Sequence, residues 1–144
     1  MANVTAADRK DLAERITKYL TGQGEKAPAL LVDALTAVGV GYFVNSFGYL
    51  PPVSKTTEHK EMAGYLVATY LRGTRPSPQN NYLVMLQQSG ASYLKDKNPP
   101  PPPVSKAIVT ILATLAMGFT RETDPKPTKM AATAKFIDLY VDGR

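Results

Sequence analysis

The sequence predicts an all-α protein, about six helices in an up-and-down bundle with an internal two-helix repeat and Pro-rich joints. Three observations predict it. Apolar residues recur at helical spacing in segment after segment, and glycine or proline closes each segment. The turn dipeptides that β-hairpins need are missing between these segments. Two patterns also recur in the same order, about fifty residues apart, as an internal duplication would leave them. Pro51-Pro52-Val53-Ser54-Lys55 returns as Pro102-Pro103-Val104-Ser105-Lys106, and the R-x-T-x-P-x-P of Arg72 to Pro78 returns from Arg121 to Pro127.

The first helix is expected from Thr5 to Thr21, with Thr5 as cap and Leu12, Ile16, Tyr19 and Leu20 on one face. Gly22-Gln23-Gly24 ends it. Pro28 suits the first turn of the second helix, Ala29 to Phe47. Its stripe is Leu30, Leu31, Ala34, Leu35, Val38 and Tyr42, but the opposite face is apolar or small too, so burial on several sides is expected. Gly39 and Gly41 lower helix propensity there and imply a close backbone or a bend. Ser54 caps a third helix to Arg72, with Met62, Tyr65, Leu66, Thr69 and Tyr70 inward and Gly73 at its end. A fourth runs from Pro78 to Lys95, with Tyr82, Leu83, Leu86, Ala91, Tyr93 and Leu94 apolar and Gly90 a weak point. The prolines Pro99 to Pro103 form a stiff extended strut. Ser105 caps the fifth helix, Lys106 to Phe119, almost entirely apolar. The last runs from Thr128 to Val141, with Met130, Ala134, Ile137, Tyr140 and Val141 inward. The β-branched residues of the second and fifth segments also suit buried strands, but these segments are too long for that.

At 144 residues the chain fits one domain with a real core, and its 44% hydrophobic content argues against wholesale disorder. The net charge of +5 is compatible with a polyanionic partner. No cysteine is present, which excludes disulfides, thiol catalysis and cysteine metal sites. A single histidine excludes a multi-histidine metal site. The residues after Met1 carry charges and no apolar core, so no signal peptide is expected. No cofactor is expected.

Candidate chemistry is sparse, and no enzyme is expected. His59 stands among Glu58, Lys60 and Glu61, which reads as a solvated helix start, and Glu58 and Glu61 share that charged face. Gly39-Val40-Gly41 lacks the remaining glycine of a dinucleotide fingerprint, and no phosphate-loop lysine follows. Ala27 to Leu50 is long enough to span a membrane, although Asp33 and Asn45 interrupt it, while the fifth helix is too short. The basic residues are the most informative remainder. Arg9, Lys10, Arg15, Lys18 and Lys26 lie on or just after the first helix, and Arg72, Arg75 and Arg121 lie at helix ends. Cations suit helix C-termini for dipole reasons, but at equivalent joints of a repeat they would form one phosphate-contacting stripe.

These features suggest residues 1–26 as a charged helical arm and 27–144 as the bundle, with repeat units at about 51–98 and 99–144. The charged arm, the Gly22-Gln23-Gly24 joint and the apolar helices from Pro28 onward resemble the major coat (nucleocapsid) proteins of archaeal filamentous and rod-shaped viruses. The resemblance is one of architecture, and Asp8, Asp11 and Glu14 depart from it by diluting the arm's charge. It implies a virion protein, present in the host cytoplasm before assembly. Such a protein pairs with itself or a homologous coat protein and wraps double-stranded DNA without reading sequence, within or without a membrane envelope. The eight basic residues named above are then the phosphate contacts. The reading from another class is a soluble helical adaptor that binds a protein partner through a groove or through Pro99 to Pro103.

Overall fold

The computed structural model describes residues 4–48, 50–52, 56–75 and 82–144. Among them all regular structure is helical: α1 (Ala6–Gly22), α2 (Ala29–Phe47), α3 (Thr56–Gly73), α4 (Tyr82–Asp96), α5 (Lys106–Phe119) and α6 (Lys126–Gly143). The fold is therefore all-α. Thr5 Oγ1 accepts the Asp8 amide at 3.1 Å, and Ser105 Oγ accepts that of Ile108 at 3.2 Å, so both expected caps form. Each such cap is worth about 1 kcal/mol. The expected Ser54 cap and the Pro78 start of the fourth helix lie outside the described residues.

The chain divides into two compact units, Met1–Val67 with Leu139–Arg144, and Ala68–Asp138. The boundaries fall inside α3 and α6, not at the proline-rich joints. Each unit thus contains the last turns of a helix that begins in the other.

In the first unit α1 lies on α2, with Leu12, Ile16 and Leu20 fully buried. The segment read from sequence as an arm is thereby part of a core. α2 is long and apolar enough to cross a membrane, and 61% of its most apolar stretch is buried inside the structure. Leu30, expected in its stripe, is instead 45% exposed, because it precedes the buried run that begins at Leu31. α3 contributes His59, Ala63, Leu66 and Val67 to this unit, and α6 contributes Leu139.

In the second unit α4 lies on α5 and buries Leu86 and Gly90. Ala91, expected inward, is exposed. Gly90 is a tight contact, not a weak point: a methyl group there would meet Ile137, Val109 and Thr133 at 3.1–3.3 Å. α6 buries Lys129, Thr133, Phe136 and Ile137. Met130 is 38% exposed, so the inward face of α6 is turned by about one residue from the expected one.

The burial pattern brings out a three-helix correspondence, α1-α2-α3 with α4-α5-α6. Val32, Leu35 and Gly41 of α2 match Val109, Leu112 and Gly118 of α5, and all six are buried. α3 and α6 are both 18 residues long, and Leu66, Val67, Tyr70 and Gly73 match Phe136, Ile137, Tyr140 and Gly143. Leu12 and Leu20 of α1 match Leu86 and Leu94 of α4. Two crossings repeat in detail. In the first unit, side chains on Gly41 and Gly143 would overlap the carbonyls of Leu139 and Ala37. In the second, side chains on Gly118 and Gly73 would overlap those of Thr69 and Thr114. The two helices of each crossing are antiparallel and in backbone contact, which only glycine allows. The five-letter motif stands before α3 and before α5, the third helix of one set and the second of the other, so it does not mark this correspondence.

Candidate nucleic-acid interface

The crossing at Gly73 and Gly118 sets the last turn of α3 beside the last turn of α5. Arg72 bridges them, donating from Nε to the Gly118 carbonyl at 3.2 Å and from Nη2 to Thr69 Oγ1 at 3.3 Å. Past the helix end, the chain turns through Thr74 and Arg75, whose amides donate to the carbonyls of Tyr70 and Arg72. Past α5, Arg121 follows the cap residue Thr120, and its amide donates to Asp124 Oδ2 at 2.8 Å. The carboxylate of Asp124 is thus turned to backbone. The result is a cleft of about 510 Å³ whose lining includes Arg72, Arg75, Phe119, Arg121 and Glu122. None of the three arginines forms an ion pair among the described residues. Two helix ends carry roughly half a negative charge each, which the three guanidinium groups exceed. Both copies of the R-x-T-x-P-x-P pattern therefore deliver their leading arginine to one place.

Phe119, the last residue of α5, lies in the same cleft and is 45% exposed. Phe136 braces it edge-on, with ring centroids 5.6 Å apart and planes at 83°. Lys135 holds its ammonium 4.3 Å from the Phe119 ring centroid.

The remaining basic residues predicted for the site are differently placed. Arg9 donates from Nη1 to the Gly143 carbonyl at 2.7 Å, and with Lys10 and Arg144 it lines a second cleft of about 460 Å³ that also holds Asp33. Lys10 pairs with Glu14 at 3.9 Å. Arg15 donates from Nε to Asp11 Oδ2 at 2.9 Å, which neutralises it. Lys18 and Lys26 are exposed and line neither cleft. So the structure joins Arg72, Arg75 and Arg121, joins Arg9 and Lys10, and leaves Arg15, Lys18 and Lys26 apart from both. Sequence reasoning missed Phe119, Lys135 and Arg144. Phe119 read only as the end of an apolar helix, and its position two residues before Arg121 was the available signal.

Two basic side chains are fully buried. His59, read from sequence as solvated, has no exposed surface. Its Nδ1 lies 2.7 Å from Asp11 Oδ2 and its Nε2 lies 2.6 Å from the Pro51 carbonyl. Both ring nitrogens are therefore engaged. Burial alone would raise the Asp11 carboxyl, but hydrogen bonds from Arg15 and His59 outweigh it and hold the group below its ordinary value. Glu58 and Glu61 are exposed, as expected. Lys129 donates from Nζ to the Glu122 carbonyl at 2.7 Å and sits 3.5 Å from the Tyr82 ring centroid. Elsewhere the Tyr42 and Tyr65 hydroxyls meet at 3.0 Å, and burial, helped by that bond, pushes Tyr42 well above the usual phenol range.

Comparison with known proteins finds no matching family model, no matching curated protein and no matching solved structure.

Proposed function

We propose that this protein is a structural nucleic-acid-coating protein of the virion coat type, which packages double-stranded DNA through phosphate contacts and associates with further copies of itself. The observation that carries the reading is the cleft in which Arg72, Arg75 and Arg121 outnumber Glu122 and none of the three forms an ion pair among the described residues. Guanidinium groups match phosphate oxygens in geometry and keep their charge at any working pH. The net charge of +5 adds a long-range attraction. Lys18 and Lys26, exposed and without an ion pair among the described residues, are secondary contacts.

The test is binding of the purified protein to random-sequence duplex DNA across a salt series, with electron microscopy of the same samples. Affinity should fall steeply as salt rises. The triple variant R72A/R75A/R121A should flatten the slope of log K against log salt by up to about three units, near one per lost phosphate contact. Removing equal charge as R15A/K18A/K26A should flatten it less. Equal slopes in the two triple variants, or no binding, would overturn the assignment to this cleft, and filaments on the grid would establish assembly.

A further inference from the structure

Resting on that reading of the arginine cleft, we infer that besides duplex phosphates it takes a nucleotide unit with an unpaired base. The base would stack on Phe119 while its phosphate meets the arginines. Three observations lead there. Phe119 belongs to the cleft and is 45% exposed, unusual for an apolar ring at the end of a helix whose other apolar residues are mostly buried. Its orientation is fixed, since Phe136 braces it edge-on. One face already receives a cation, the Lys135 ammonium at 4.3 Å, and Lys135 is itself an exposed residue. A flat base would stack on the exposed part of the ring that the cleft takes in.

A duplex cannot use this device without extruding a base, because its rings are stacked on one another. A single strand or a free nucleotide offers the ring at no such cost. Stacking of bases on aromatic side chains beside a basic groove is how single strands are held without sequence preference.

The experiment compares four probes at one salt concentration by fluorescence anisotropy or competition: labelled oligothymidylate, an abasic strand of equal length, a duplex of equal length, and thymidine monophosphate as competitor. Oligothymidylate should bind tighter than the abasic strand by about fivefold or more, the scale of one stacked base. Phe119→Leu, which keeps an apolar side chain against Phe136 but has no π-face, should erase that gap. Phe119→Ala is the second variant should Leu fill the cleft differently. Equal binding of the strand with and without bases, or a gap that survives both variants, would overturn the inference. If the duplex binds and the single strand has no advantage, the coat reading stands and this one falls. If no probe binds, both fall. Competition by the monophosphate at concentrations matching the strand's nucleotide concentration would uphold the site and assign it to free nucleotides.

Discussion

At matched places in the two three-helix sets, one turn into the third helix, stand His59 and Lys129, both without exposed surface. Each donates to a carbonyl of the segment just before its own helix, Pro51 at 2.6 Å and Glu122 at 2.7 Å. A carbonyl shielded from water needs a donor, and at these two joints a side chain of the following helix supplies it. What differs is what each side chain meets besides that carbonyl. His59 faces the Asp11 carboxylate, which Arg15 also holds. Lys129 faces the π-face of Tyr82 at 3.5 Å. A fixed geometric demand has been met with two chemistries, one through a carboxylate, the other through an aromatic quadrupole. The framework specifies a donor at this position and leaves its second partner free to vary.

The comparison is tested most severely at the crossings, because there the two units are most alike. Gly143→Ala and Gly118→Ala each drive a methyl group into a carbonyl, of Ala37 and of Thr69. Since backbone cannot yield as a side-chain tip can, each should destabilise by about 3 kcal/mol, the upper end of overpacking costs. Gly22→Ala, where an added methyl group meets nothing within 4 Å, is the control and should be neutral or slightly stabilising. Denaturant titration of the three variants decides it. A large loss at one crossing and none at the other would break the correspondence between the units.

This crossing geometry shows what sequence could and could not reveal. The helices were legible because apolar spacing, caps and Gly or Pro stops agree, as at Thr5, Ser105 and Gly73. The three-helix correspondence was not, because Gly41 and Gly118 or Tyr70 and Tyr140 are single matches in different surroundings, while the longer literal match at Pro51 and Pro102 drew the eye. The phase of α6 was misread because its buried face starts with a lysine. Counting only apolar residues put Met130 inside, whereas Lys129 is the residue that is buried. His59 was placed outside for the same reason: charged neighbours say nothing about the one side chain that turns inward to Pro51 and Asp11. Of the candidate interface, the arginines were legible from composition and repeat. Their meeting with Phe119 was not, since it depends on the α3–α5 crossing.

The next variant acts on the second unit's pin. Lys129→Met keeps the length and apolar stem but removes the ammonium, leaving the Glu122 carbonyl without that donor and the Tyr82 face without its cation. The loss should be about 2 kcal/mol, since the desolvation that burying an ammonium cost is also relieved. A neutral result would mean that the Glu122 carbonyl finds another donor, and the shared role of the two side chains would fall.

The smallest effect is also the most specific to one unit. Asp11 is held below its ordinary value of 3.8 in the folded chain. A depressed carboxyl stabilises the fold fully above its unfolded value, and that contribution is lost as pH falls through the depressed one. Asp11→Asn removes the charge at every pH while keeping an oxygen that can accept from Arg15 or His59. The variant should therefore be less stable than the parent at pH 7, and the difference should shrink as pH falls below 4 because the parent loses its carboxylate there. Denaturant midpoints for both proteins at stepped pH give the curve. The parent should also lose amide protection in α1 and the first turns of α3 before α5 as acid is added, since the second unit's pin contains no carboxylate. A gap between the two proteins that stays constant from pH 7 to pH 3 would mean that the carboxylate's charge contributes nothing to holding His59. The ionic half of the comparison would then reduce to a neutral hydrogen bond, with Asp11 placed there for its shape alone.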